Sequence, residues 1–215
     1  YVLMAPICML HEIFPPEEVL NPAAEIGYWL HGLTLAQRWR ERLGLDRNPD
    51  WDRVISKMAA LPIHDGVYIG HENAPDTFTA YNTNHPAMLL NYGMLPGRGV
   101  DPEIMRRTLH RVWDEWRWEH TWGWDFPVVA MCAARLGEPE LAVDSLLLET
   151  PKNTYLANGH NRQGDSLPVY LPGNGALLLA VAMMAAGWEG GPGGHAPGFP
   201  SQSWTVKAEG LHALL

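Results

Sequence analysis

Clustered basic charge, cysteine and long apolar runs are what this chain has least of. No run of Lys or Arg exceeds two residues, and the net charge is −9. A chain of that sign carries no electrostatic footprint for nucleic acid, which is not expected as a partner. Only two cysteines occur, Cys8 and Cys132, far apart and without metal-ligand spacing. They read as free thiols, and the sequence leaves their pairing open. The His, Asp and Glu spacing shows no i, i+4 pair on one helix face comparable to a zinc motif, so no metal is expected; no cofactor is expected either. The one long, weakly charged run, residues 167–188, is interrupted by Pro172, Gly173, Asn174 and Gly175. What remains is too short to cross a bilayer comfortably, so no membrane partner is expected. Strand alternation is missing too, apart from short extended pieces at residues 67–69 and 204–206. The chain opens at Tyr1 inside an apolar run, without Met and without a signal-peptide pattern. It is expected to be a piece of a longer fold whose N-terminal part is missing.

Tryptophan, proline and glycine are abundant instead, at 10, 18 and 21 residues. With 47% apolar and 18% charged residues the chain is globular, and Pro and Gly between helical segments mean elaborate loops. Asn21-Pro22 predicts a helix over residues 21–43, with Asn21 as N-cap and Gly44 as stop. Asn48-Pro49 repeats the signal for residues 50–61, which makes an antiparallel helical hairpin. Asp65-Gly66 marks a turn. A third helix is expected over 86–95, and a fourth from Asp101-Pro102 to about 118, with Ile104, Leu109, Val112 and Trp116 inward. The fifth and sixth, 125–136 and 139–148, join at Gly137-Glu138, with Asp125 as N-cap of the fifth. The seventh, 175–186, is almost entirely Ala, Leu, Val and Met and is expected to be buried on all sides. The reading is all-α, with a polar loop after every second helix. A ring of helical pairs brings such loops to one mouth.

The loop densest in donors and acceptors carries Lys152, Asn153, Asn158, His160 and Asn161, and Asn174 follows it. Upstream stand Trp122, Trp124 and Asp125, and a second polar loop offers Glu72, Asn73 and His85. Flat aromatic faces beside amide and imidazole groups suit a carbohydrate substrate. Cleaving a glycosidic bond needs a protonated carboxyl for the leaving oxygen and a second carboxylate to activate water. Glu12, after an apolar run that would desolvate it, is the expected acid. Asp125, with capping bonds that favour its charged form, is the expected base. Inversion requires the two to be roughly 6.5–9.5 Å apart. Glu25 reads as a helix-face residue held by Tyr28 or an arginine, and His31 and His110 as packing or solvated residues.

Several of these landmarks resemble the C-terminal part of six-hairpin glycosidases, the (α/α)6-toroid group that includes the maltose phosphorylase-like family 65 and the α-L-fucosidases of family 95. They are Asn21-Pro22-Ala23-Ala24-Glu25-Ile26-Gly27-Tyr28-Trp29, Gly123-Trp124 before an Ala-rich helix ending Ala134-Arg135-Leu136-Gly137, and Pro172-Gly173-Asn174-Gly175 before an apolar helix. The resemblance implies an incomplete (α/α)6 toroid over residues 1–187, then a Gly/Pro-rich connection and strand-like tail over 188–215. It implies a bacterial glycoside hydrolase, periplasmic or extracellular, that inverts configuration. A disaccharide phosphorylase or an inactive carbohydrate-binding toroid of the same fold are the alternatives. The relatives hold their acid shortly before the long helix, the place Glu12 occupies. Fucosidase-like members supply a base from Ile-Asp-Gly-Asn, where this chain reads Leu171-Pro172-Gly173-Asn174. Pro172 replaces that Asp, leaving Asp125, Glu72, Asp76 and Asp165 as substitutes.

Overall fold

Asn48 and Asp101 begin helices as their sequences predict, each accepting hydrogen bonds from the amides two and three residues on, with Pro in the first turn. The computed structural model describes residues 1–214. Among them are α1 (Ala23–Arg42), α2 (Pro49–Lys57), α3 (Pro102–Glu115), α4 (Asp125–Arg135), α5 (Pro139–Leu147) and α6 (Leu171–Ala186). Two antiparallel ladders of two residues per strand complete the regular structure: β1 (Ile63–His64) with β2 (Val67–Tyr68), and β3 (Thr154–Tyr155) with β4 (Asn161–Arg162). Asp65 and Gly66 both take positive φ between β1 and β2, the geometry a two-residue hairpin needs. The protein is helix-rich with very little sheet.

α4 is the centre. Every residue from Asp125 to Ala134 is buried, and the helix packs against both α5 and α6. Small alanines and Cys132 on α4 let the neighbouring helices approach closely, while Phe126, Val128, Val129 and Met131 fill the spaces between them. Each fully buried large side chain there stabilises the fold by roughly 1.5–3 kcal/mol. α3 contributes Met105, Leu109 and Val112 to the same core, along with Thr108, whose hydroxyl accepts from the Tyr68 amide. Cys132 lies in this core and Cys8 is exposed; both are free thiols.

Residues 1–20 form a strap over the outside. The Asn21 amide donates to the Leu3 carbonyl, the Ile7 amide to Pro16, and the Glu72 amide to Leu20. Beneath the strap Met9, Phe14, Val19 and Ala74 form a small cluster of their own, separate from the main core.

Five expectations need correction. Asn21 is not an N-cap: it sits at φ 48°, accepts from the Leu3 amide and donates to Glu72, so α1 starts two residues later. Residues 86–95 hold only a 3₁₀ turn (Ala87–Asn91), whose side chains are all buried against α1 and α4. Asp125 is the first helical residue of α4, with Trp124 in the capping position. α6 begins at Leu171 because Pro172 fits a first turn, and it is not buried all round. Only the side facing α4 is covered: Leu171, Leu178 and Val181 stand exposed, Leu178 at 72%. The tail forms no strand at Trp204; among the described residues Leu214 makes a single bridge to Trp188.

Candidate active site

Asp125 gathers the expected site. Its Oδ1 lies 2.9 Å from His85 Nδ1, and its Oδ2 accepts the Trp122 amide at 2.8 Å. The carboxyl is 1% exposed. The expectation that capping bonds keep it readily charged is overturned: burial pushes its pKa up, and the His85 and Trp122 contacts oppose that only in part. The His85 ring stacks at a tilt 4.5 Å from Trp124 and 6.1 Å from Trp122, and Trp122 lies 5.4 Å from Tyr170. Tyr170, which the sequence did not single out, has its hydroxyl pushed up to about 12, first by burial and then by the negative charges of Asp125 and Glu12. Both carboxyls therefore lie within electrostatic reach of one phenol.

Glu12 itself is exposed, so the apolar run before it does not desolvate it as expected. Besides Asp125, the desolvated carboxyl here is Glu25. Its Oε1 accepts the Leu10 amide at 2.6 Å, while Oε2 is buried without a partner. Burial raises its pKa, the Leu10 bond opposing. Glu25 is held by neither Tyr28 nor an arginine; it lines a cleft of about 400 Å³ with Leu10, Tyr28, Met94, Trp124 and Pro172. The sequence signal for it was Glu25 and Tyr28 at i, i+3 on a helix that begins after the strap. The same spacing also fits a helix-face carboxylate oriented by Tyr28 or an arginine.

The two polar loops meet at residues 121–125. Loop 71–85 arrives through His85, and the Asn84 amide donates to the His120 carbonyl. The later loop arrives through Gln163, whose Oε1 accepts the Gly123 amide and whose Nε2 donates to the Thr121 carbonyl, each at 2.9 Å. Asn161 is wedged behind it: a methyl group added at either Gly123 or Gly173 would strike the Asn161 side chain. Asn161 Nδ2 donates to the Lys152 and Thr154 carbonyls, and its amide to Asn174 Oδ1.

Much of the expected binding set is thus consumed by the fold. Asn153 donates to the Leu146 and Leu148 carbonyls at the end of α5. Lys152 Nζ donates to the Gln163 carbonyl, Asn174 Nδ2 to Gly159, and Asn158 accepts the His160 amide. The His160 ring is partly buried with Nδ1 unpartnered. Glu72 and Asn73 lie with the strap, the one accepting from Asn21 and the other donating to the Glu18 carbonyl. His85, Trp122, Trp124, Asp125 and Asn161 are the expected residues brought together, and the sequence missed Glu25, Tyr28, Gln163 and Tyr170.

A half-buried carboxyl of raised pKa, an indole and a phenol around one cleft form a proton donor beside aromatic faces. No group of three or more His, Cys, Asp or Glu among the described residues is placed to hold a metal ion. No helix among them is long and apolar enough to cross a membrane. Neither a model of a known protein family nor a curated protein matches the chain.

Proposed function

We propose that this chain carries the catalytic cleft of an inverting glycoside hydrolase, and that its helical pairs belong to an (α/α) toroid completed by further helices. The observation that carries the reading is Glu25: a carboxyl shielded from water, with one oxygen unpaired, on the wall of a cleft lined by Trp124 and Tyr28. A carboxyl so placed stays protonated to higher pH and can donate to a leaving oxygen, while the aromatic rings take the apolar faces of sugar rings. Glu12, two residues beyond the Leu10 amide that Glu25 holds and within electrostatic reach of Tyr170, is the carboxylate proposed to activate water. Asp125, sealed under His85 and Trp122, serves as a positioning residue that sets the tryptophans. The exposed faces of α1 and α6, with Trp29 and Trp39 on one and Leu178 on the other, support further helices packing there.

The test is a panel of p-nitrophenyl glycosides offered to the parent protein, with and without inorganic phosphate. Hydrolysis that ignores phosphate, falling on the order of 10²–10⁴-fold in Glu25→Gln, is expected. Turnover unchanged by Glu25→Gln refutes the assignment, and turnover that requires phosphate transfers it to a disaccharide phosphorylase. One feature favours a second reading, a carbohydrate-binding toroid without turnover. Pro172 lines the cleft where fucosidase-like proteins hold an acid. Binding of sugars without release of nitrophenol supports that reading.

A further inference from the structure

A second cavity, of about 490 Å³, lies farther along α1, between its C-terminal half, residues 96–99 and the segment after α6. Its polar lining is unlike that of the first cleft: His31, Arg38 and Arg98 face Glu189 across it. In a chain of net charge −9 this is a local excess of cations. Arg98 makes no hydrogen bond or ion pair among the described residues, and Arg38 meets only Glu189, at 3.5 Å with both side chains 56% exposed. An exposed pair at that distance is weak and readily displaced. The His31 imidazole has its pKa lowered, first by burial and then by the charges of Arg38 and Arg98, so both guanidiniums act on the same ring. The neighbouring Thr34 hydroxyl is already spent on the Leu30 carbonyl and adds no donor.

We propose that Arg38, Arg98 and His31 form a site for the anionic group, phosphate or carboxylate, of a small ligand, with the Glu189 carboxylate as its displaceable internal occupant. Two guanidiniums supply forked donors that match the oxygens of either group. The imidazole supplies a third donor. The space is that of a site for a small organic molecule rather than a bare ion. The two cavities share no lining residue, and His31 and Arg38 lie six and thirteen residues beyond Glu25 on α1, about 9 and 20 Å at a rise of 1.5 Å per residue, so this site does not depend on the assignment of the first.

The test is titration calorimetry on the intact chain at low ionic strength with three probes: inorganic phosphate, D-glucuronate, and glucose as the uncharged control. Saturable binding of phosphate or glucuronate is expected, with a dissociation constant of about 1 mM, and none of glucose. Arg98→Ala and Arg38→Ala should each weaken it about tenfold or more, and Glu189→Gln should tighten it about threefold. Phosphate binding without glucuronate binding identifies a phosphate site, and the reverse a sugar-acid site. Absence of saturable binding of either anion to both the native chain and Glu189→Gln overturns the proposal, as does binding that Arg98→Ala leaves unchanged. The three substituted side chains are solvent-facing, and a circular-dichroism melt of each variant verifies folding.

Discussion

Replacing Asp125 by Ala removes the acceptor that joins His85 to the segment before α4. His85 Nδ1 and the Trp122 amide then stand in a buried site without partners. Each orphaned group costs about 1–3 kcal/mol. Part is returned, because the burial that raises the Asp125 pKa also makes the carboxylate expensive to keep there. A net loss of about 2–4 kcal/mol follows. For a chain of this length that lowers Tm by roughly 5–15 °C. Asp125→Asn should lose less, since its amide oxygen still accepts from Trp122 and its amide nitrogen can donate to the other imidazole tautomer. The assay is urea unfolding at pH 7 followed by tryptophan fluorescence, for Asp125→Ala, His85→Ala and the double variant. The two losses should fail to add by about 1 kcal/mol or more, since the residues share one bond. Losses below about 0.5 kcal/mol for Asp125→Ala, or strictly additive ones, would show that the carboxyl does not hold the His85 loop to the segment before α4.

His11 is fully buried and its pKa is pushed down to about 3, chiefly by burial. Between pH 6.5 and that value the unfolded chain binds a proton that the native chain refuses, so stability falls as pH falls, by about 1.4 kcal/mol per pH unit. Glu25 and Asp125 act oppositely, their raised values favouring the fold at low pH. The His11 contribution is therefore read as the difference in pH slope between the native protein and His11→Gln, and equal slopes would refute it. Gly123→Ala should cost roughly 1–3 kcal/mol by driving a methyl group into Asn161, and an Asn161→Ala background should relieve it; calorimetric Tm values for the cycle decide. Leu178→Ser, at the bare face of α6, should leave the unfolding free energy of this chain within about 0.5 kcal/mol, and a larger loss in urea titration would mean that face is covered.

Helix starts and stops were legible where one local device sets them, as at Asn48 and Asp101, where the cap bonds were those expected. Asn21-Pro22 gave the same local signal, but a tertiary partnership with Leu3 and Glu72 took the side chain instead. Apolar composition identified α6 as a helix but could not say how many neighbours it has. α4, with a less uniform sequence, is the one enclosed. In the site, Trp122, Trp124, Asp125 and His85 could be picked out because aromatic and ionisable groups stood close together in the chain or in dense loops. Glu25 could not. Whether a carboxyl on a helix face meets water or a cleft depends on the strap laid across it, and no spacing rule carries that information. The asparagines of the later loop misled for a related reason: a loop rich in donors and acceptors needs those groups to satisfy its own backbone.

The strap's separate cluster of Met9, Phe14, Val19 and Ala74 gives the molecule two cooperative units of unequal strength. The Leu10–Glu25 bond is one of several links between the strap and the body, beside the His11 ring on the Thr83 carbonyl and the Ala59 amide on the Tyr1 carbonyl. Exchange of the Leu10 amide with solvent therefore follows the opening of the strap rather than global unfolding. Each opening frees the Leu10 amide from Glu25 and wets that carboxyl. The acidity of Glu25 is then governed by a local equilibrium of the strap and not by global stability.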